Sequence, residues 1–212
     1  MSEDRIGDFV RMLAHAETPE NVFNQYGHKE PANAVRRSNL RRYLRAVSQR
    51  QSRMALIGEA AGYRGCRLTG VPFTSERIML DGVSGRSFLG VERGFAKTGE
   101  RPRIVGEQSA TIVWGALQEL RPLPLLWNAL PFHPHQPLEP WSNRTPTRAE
   151  LKLGQPFLRH LLKLFPLELI VAVGNKADEA LSQQQIPHCK LRHPAHGGKA
   201  EFVRGLRALA YL

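Results

Sequence analysis

The chain has 212 residues, 42% of them hydrophobic and 23% charged, which suits one globular domain that buries roughly 70% of its unfolded surface. Its formal net charge is +11, and most of the basic residues are arginines, whose guanidinium groups pair with phosphate. The charge favours a polyanion, and nucleic acid first, as the partner. A membrane is not expected, because no apolar run is long enough to cross a bilayer. A basic but inert surface is the alternative.

The chain contains two cysteines, Cys66 and Cys189, which lie far apart in the sequence. Two thiolates are too few for a protein-held iron–sulfur cluster, and their spacing is not that of a zinc ribbon, so no cofactor is predicted. Free thiols in a reducing compartment are the default expectation, and a disulfide stays open. The first residues carry acids and lack the apolar core of a signal peptide, so we expect a cytoplasmic protein.

Two helices are predicted at the start of the chain. Apolar residues recur at helical spacing over residues 6–15, and a second such pattern follows Ser38, which suits an N-cap. We expect these helices, within residues 1–52, to pack on the core of a single domain formed by residues 1–212. The Arg-rich face of the second helix is either solvated or phosphate-binding.

A short apolar run over residues 54–57 predicts a buried strand that ends at Gly58. A loop of small residues with one carboxylate, Glu59, follows it. Because the next residues have small side chains or none, backbone N–H groups there can approach a ligand closely. An ordinary strand-to-helix turn fits the same stretch equally well. The small residues are Gly58, Ala60, Ala61 and Gly62.

The middle of the chain combines a long connection with a second strand. Residues 76–107 are rich in turn signals, and so long a connection is usually functional or mobile. Residues 108–120 have helical character. An apolar run over residues 123–128 predicts a strand that delivers Asn128 to a proline-rich loop over residues 129–146.

An amphipathic helix is predicted over residues 147–165. Thr147 and Glu150 have the spacing of a capping box, in which each side chain binds the backbone N–H of the other residue. Pro156 falls inside the pattern and should kink the helix, because proline has no N–H to donate.

The last part of the chain alternates strands with helices. Strands are predicted over residues 167–173 and 187–192, and helices over residues 176–184 and 199–212. Such alternation is typical of an α/β protein with helices on both faces of the sheet. We therefore predict a three-layer α/β/α fold with a central, mostly parallel four-stranded sheet.

Parallel strands bring their carboxyl ends to one edge of a sheet, so the loops that begin at Gly58, Asn128 and His193 should converge. Asn128 offers one hydrogen-bond donor and one acceptor, which suits the edge of a nucleobase. Phe73 can stack on the face of such a base, and His193 can donate to a carbonyl oxygen that gains negative charge. Together they predict a pocket for a planar heterocycle.

Four motifs resemble the uracil-DNA glycosylase superfamily, and among its members most closely the thermostable, iron–sulfur-containing branch. Gly58-Glu59-Ala60-Ala61-Gly62 is similar to that branch's Gly-Glu-Ala-Pro-Gly, and Gly70-Val71-Pro72-Phe73 is similar to its Gly-x-Pro-Phe. Asn128 stands where the family places its uracil-reading Asn. His193-Pro194-Ala195 is similar to a second family motif, whose His contacts the uracil carbonyl. The resemblance runs from about residue 54 to the C-terminus.

The chain also departs from the family pattern. The iron–sulfur branch uses four cluster cysteines, so the two in this chain imply no cluster. The Asp that positions the attacking water in other members matches Ala60, and the Tyr that excludes the thymine methyl matches Gly62, with Tyr63 beside it. A loop carboxylate of a related branch has no match near Gly65 and Cys66. The resemblance therefore implies a pocket roomier than a strict uracil site.

The resemblance implies a DNA glycosylase that flips out and excises uracil, or another deaminated or damaged base, and so begins base excision repair. It implies His193 and Glu59 as catalytic residues, with Glu59 acting through its backbone N–H or through its carboxylate. DNA containing such a base is the expected partner, and we expect a monomer. The implied substrate-binding residues are Gly58, Ala60, Ala61, Gly62, Tyr63, Phe73 and Asn128. The implied DNA-binding residues are Arg192, His196, Gly197 and Lys199, a region without the large apolar wedge of related sequences.

Other hypotheses remain from the sequence. The histidines at positions 133, 135, 193 and 196 could form a zinc set, although prolines explain the first pair as part of a rigid loop. A glycosylase-like protein that binds nucleic acid without cutting it is favoured by the missing Asp equivalent. A nucleoside or nucleotide hydrolase would not need the strongly basic surface.

Overall fold

The computed structural model describes residues 3–83, 88–195 and 197–210. Within these residues the strands are β1 (Val22–Phe23), β2 (Met54–Ala60), β3 (Leu125–Leu130), β4 (His133–Pro134), β5 (Leu169–Val173) and β6 (Cys189–Leu191). The α-helices are α1 (Glu3–Ala14), α2 (Asn33–Gln49), α3 (Cys66–Thr69), α4 (Glu76–Asp81), α5 (Gln108–Leu117), α6 (Arg148–Leu164), α7 (Asn175–Gln183) and α8 (Lys199–Ala210). A short 3₁₀ helix covers Val91–Arg93.

The central sheet has four parallel strands in the order β3-β2-β5-β6, and helices flank it. The predicted fold class is therefore confirmed. Helix α6 packs against β3, and α7 packs against β2 and β5. In the register of β2 and β3, Gly58 lies opposite Asn128, which places the ends of these two strands side by side.

The first two helices contribute to the same buried hydrophobic cluster as the strands. Phe9 of α1 contacts the ring of Trp127 in β3, with 5.4 Å between the ring centroids. Tyr43 of α2 accepts a hydrogen bond from the backbone N–H of Leu126 at 2.6 Å. These contacts tie the N-terminal helices to the strand that carries Asn128. None of the helices in the described ranges is both long and apolar enough to traverse a lipid bilayer.

Several predicted boundaries were wrong; β3, for example, runs to Leu130 rather than ending at Asn128. Helix α2 begins at Asn33 rather than at Ser38, because the Asn33 side chain donates to the carbonyl oxygens of Asn24 and Gly27 and so orders the preceding turn. Strand β2 continues past Gly58 to Ala60, because β3 offers it backbone partners as far as the end of both strands. The small residues predicted as a loop thus begin as a paired strand.

Helix α6 begins as predicted. Thr147 Oγ1 accepts the N–H of Glu150 at 3.3 Å, and the N–H of Thr147 donates to Glu150 Oε2 at 2.8 Å, which is the expected capping box. The helix runs through Pro156 to Leu164 without a break in its assignment.

Some elements had no signal in the sequence. Strands β1 and β4 form a small antiparallel ladder in which Val22 lies opposite Pro134 and Phe23 opposite His133. The long connection predicted over residues 76–107 contains α4, whose first residue, Glu76, accepts the N–H of Val105 at 3.0 Å. Residues 84–87 of that connection lie outside the described residues.

Candidate functional site

A cleft of about 530 Å³ opens at the carboxyl ends of β2 and β3, a volume typical of sites for small molecules. The predicted residues that line it are Gly58, Glu59, Ala60, Ala61, Gly62, Phe73, Asn128 and His193. Residues that the sequence did not single out complete its wall. They are Cys66, Glu107, Ser109, Asn143, Arg144, Thr145 and Ala195.

Gly58 brings the aromatic and amide groups of the cleft together. A Cβ atom at this position would lie 2.6 Å from Phe73 Cζ and 2.7 Å from Asn128 Oδ1. The ring and the carboxamide therefore both pack directly over the glycine backbone. One end of the cleft thus combines a flat apolar face with a hydrogen-bonding edge, which is what a planar heterocycle requires.

Phe73 has an unusual backbone conformation. Its φ angle is +54°, in the left-handed region that costs a residue with a side chain on the order of 1–3 kcal/mol. Pro72 precedes it. The Thr69 hydroxyl stabilises the turn by accepting the N–H of Val71 at 3.0 Å and donating to the carbonyl oxygen of Thr74 at 2.9 Å. Such strain, held by the surrounding loop, is common at ligand-binding positions.

His193 follows β6 and lies against the end of β5, where a Cβ at Gly174 would be 3.1 Å from His193 Cβ. The backbone N–H of Ala195 donates to His193 Nδ1 at 3.2 Å. Because Nδ1 accepts this bond, the neutral imidazole carries its proton on Nε2. His193 lines the cleft and can act there as a hydrogen-bond donor through Nε2.

Two carboxylates line the cleft. Burial raises the pKa of Glu59, and the nearby Lys176 ammonium opposes that change. One carboxylate oxygen of Glu59 is buried and has no hydrogen-bond partner among the described residues. Burial also raises the pKa of Glu107, against the attraction of Arg64.

Glu107 is a site residue that sequence reasoning missed. It stands at the end of the long connection, directly before α5, and none of the motifs pointed to it. Only the folded chain brings it opposite the loop after β2.

His133 supports the cleft from behind. Its buried Nδ1 donates to the carbonyl oxygen of Ala61 at 2.8 Å, and burial lowers its pKa to about 4. Within residues 3–83, 88–195 and 197–210, no group of three His, Cys, Asp or Glu side chains is arranged to hold a metal ion. The structure thus places His133 in a structural contact, and His196, the fourth histidine of the zinc set, lies outside the described residues.

Tyr63 is not brought into the cleft. It lines a neighbouring depression with Arg64 and Trp141, and its backbone N–H donates to Asn143 Oδ1 at 3.0 Å. Asn143 itself lines the cleft, so this bond connects the end of the loop after β2 to the cleft rim.

Arg144 forms part of the rim and is held by Glu150. Arg144 Nη1 and Nη2 donate to the two carboxylate oxygens of Glu150 at 2.8 and 2.6 Å. The hydrogen bond from Arg144 is the main reason that the pKa of Glu150 is lowered. This pair fixes the rim to the start of α6.

The residues predicted to contact DNA lie around the His193 loop. Arg192, Gly197 and Lys199 are exposed, and Gly197 has a φ angle of +81°. His196 lies outside the described residues.

Part of the Arg-rich face of α2 serves internal contacts. Arg37 donates to the carbonyl oxygens of Tyr26 and Gly27 at 2.8 and 2.9 Å. Arg50 lies over the ring of Phe88, 4.9 Å from its centroid. These two arginines therefore make contacts within the fold.

Comparison with known proteins supports an assignment at the level of the family. The sequence model of the Uracil DNA glycosylase superfamily matches residues 45–205. The fold is similar to the crystal structure of wild-type SMUG2 of Pedobacter heparinus, with a TM-score of 0.65 and 15% sequence identity. That match covers 99% of this chain and 98% of the other, and at this identity it shows the fold alone. No curated protein sequence matches the chain.

Proposed function

The chain belongs to the uracil DNA glycosylase superfamily, and we propose that it flips uracil out of DNA and hydrolyses its N-glycosidic bond, which initiates base excision repair. The observation that carries this proposal is the packing of Phe73 and Asn128 against Gly58 in a cleft that His193 also lines.

The arrangement suits a base that has left the stack. Extrusion costs a few kcal/mol. Stacking on an aromatic ring contributes about 1–3 kcal/mol, so Phe73 can offset much of that cost. The Asn128 carboxamide can donate to a carbonyl oxygen of the base and accept from its ring N–H. Uracil carries a carbonyl oxygen and a ring N–H side by side on one edge. The deoxyribose of DNA has neither group.

Bond cleavage moves negative charge onto the leaving base and positive charge onto the sugar. His193 can stabilise the base by donating from Nε2, and one well-placed donor of this kind contributes about 3 kcal/mol. Glu59 acts chiefly through its backbone N–H to the base. Its carboxylate, partly buried and with one unpartnered oxygen, is a second route for holding water or the sugar cation.

Binding of the DNA backbone would depend on the net charge of +11 and on exposed groups beside the His193 loop, with Arg192 and Lys199 as the main candidates. We expect the protein to act as a monomer on DNA that contains uracil or a related damaged base. The gap left by a flipped base would be filled by a large apolar side chain at the surface. Among the described residues, the large apolar side chains that are exposed are Val91, Ile104 and Leu138.

The proposal is tested with an oligonucleotide that carries a single uracil, with alkaline strand scission as the readout. Substrates with a thymine mismatch, hypoxanthine or an alkylated base, and a free nucleoside, define the range. We expect His193→Ala to slow uracil excision by about 10²-fold, because one donor to the leaving base is lost, while DNA affinity stays close to that of the wild type. An unchanged excision rate in this variant would contradict the role of His193.

A second function is favoured by one observation. Ala60 lines the cleft at the position where other family members carry the Asp that positions water. The chain could therefore be a glycosylase-like protein that binds nucleic acid without catalysis. Tight binding of uracil-containing DNA by the wild-type protein, with no strand scission after alkali, would support this alternative.

A further inference from the structure

A carboxylate from outside the four motifs closes one wall of the cleft. Glu107 is the N-cap residue of α5, yet its side chain makes no capping hydrogen bond to that helix. It lines the cleft instead. The position of the Glu107 side chain is therefore not explained by stabilisation of α5.

The Glu107 carboxylate lies directly over two glycines of the loop that follows β2. A Cβ at Gly62 would be 3.2 Å from Glu107 Oε1, and a Cβ at Gly65 would be 2.5 Å from Oε2. The carboxylate thus fills the space that side chains at these positions would occupy. The absence of side chains at Gly62 and Gly65 leaves space that the Glu107 carboxylate occupies.

The backbone on both sides of this contact is ordered. The N–H groups of Gly65 and Arg67 donate to the carbonyl oxygen of Gly62 at 3.2 and 3.1 Å, which makes a tight turn beneath the carboxylate. The Glu107 carbonyl oxygen accepts the N–H and the hydroxyl of Thr111 at 3.1 and 3.0 Å. The backbone is therefore fixed both beneath the carboxylate and at Glu107 itself.

We propose that Glu107 determines which bases the cleft admits, by blocking the space over Gly62 and Gly65 against bases bulkier than uracil. This inference rests on the proposed function. The base is stacked on Phe73 and bound by Asn128, so its remaining edges face the rest of the lining, which includes Glu107. Replacing Glu107 with alanine removes four heavy atoms from that wall, whereas thymine exceeds uracil by a single methyl group. The departures from the family pattern predicted a pocket roomier than a strict uracil site, and the Glu107 carboxylate takes up part of that space.

The test compares Glu107→Ala with Glu107→Gln, which keeps the number of heavy atoms and so serves as the matched control. Single-turnover excision is measured on uracil, thymine and hypoxanthine, each opposite the same partner base. We expect the thymine-to-uracil rate ratio of Glu107→Ala to rise at least about 10-fold above the wild type, since a hydrophobic pocket distinguishes one methyl group by about 10- to 200-fold. Glu107→Gln should keep the wild-type ratio.

Three outcomes overturn the proposal. An equal loss of excision rate on all bases in both variants would mean that the carboxylate acts on the water or the sugar. An unchanged rate ratio and unchanged excision rates in Glu107→Ala would mean that the Glu107 side chain does not touch the base. An equal rise of the thymine-to-uracil rate ratio in both variants would mean that charge rather than size decides. If Glu107→Ala unfolds, Glu107→Asp, which withdraws the carboxylate by one carbon, should give a smaller rise in the ratio.

Failure of the proposed function has a different signature. If the wild type leaves uracil in place, binding of free uracil and thymine is followed instead by saturation-transfer NMR. Detectable thymine binding to Glu107→Ala but not to the wild type would support the role of Glu107 without catalysis. Equal binding of thymine to both proteins, or to neither, would overturn it.

Discussion

Gly58→Ala is the substitution that tests the geometry of the cleft most directly. The added methyl group would lie 2.6 Å from Phe73 Cζ and 2.7 Å from Asn128 Oδ1, whereas ordinary contacts begin near 3.4 Å. The ring and the carboxamide must therefore each withdraw by about 0.7–0.8 Å. Overpacking of this kind costs about 1–3 kcal/mol of stability. Misplacement of binding groups by about 1 Å can slow a reaction by roughly 10²-fold.

We accordingly expect Gly58→Ala to remain folded at 25 °C and to excise uracil about 10²-fold more slowly than the wild type. The measurements are single-turnover excision from a uracil-containing oligonucleotide and the free energy of unfolding from urea denaturation. The matched control is Gly115→Ala, since a Cβ there meets no atom within 4 Å. Because Gly115 lies in α5, alanine should stabilise the protein by about 0.5–1 kcal/mol and leave the excision rate unchanged.

A Gly58→Ala protein with the wild-type rate would refute this reasoning. It would mean that Phe73 and Asn128 do not hold the base, or that the cleft adjusts without loss. A large loss of stability with an unchanged rate per folded molecule would likewise contradict the role of the two side chains in binding, although it would agree with their close packing over Gly58.

Two further predictions concern the frame around the site. Glu100→Ala should lower the free energy of unfolding, measured by urea denaturation, by about 3–5 kcal/mol. The Glu100 carboxylate lies 2.6 Å from the fully buried Arg36 guanidinium and 3.2 Å from that of Arg67, so its removal leaves buried charge without a partner. A loss below about 1 kcal/mol would contradict this prediction. His133 has a pKa of about 4 in the folded protein against an unfolded value of 6.5, so the unfolded state binds more protons between these values and stability falls as the pH is lowered. Between pH 7 and pH 5 the loss should be about 2 kcal/mol, and His133→Gln, compared with the wild type at both pH values, should lack that part of the slope.

The sequence by itself determined the succession of the four sheet strands along the chain, and it predicted residues that the structure brings to one cleft. Apolar runs and turn residues are local signals, so they predicted strands that end near Gly58, Asn128 and His193. Parallel topology then follows from the alternation with helices, and it requires the three ends to share one edge of the sheet. The structure has that topology, and the three residues line one cleft together with Phe73.

The tertiary structure alone decided where these signals stop and what else reaches the cleft. The pairing of β2 with β3 carried the strand beyond Gly58, because backbone partners across a sheet are not encoded in either strand separately. Glu107 lies over Gly62 and Gly65 in the folded chain, although more than 40 positions separate it from either glycine in the sequence. A contact between distant segments depends on the packing of everything between them, and no local pattern of residues records it.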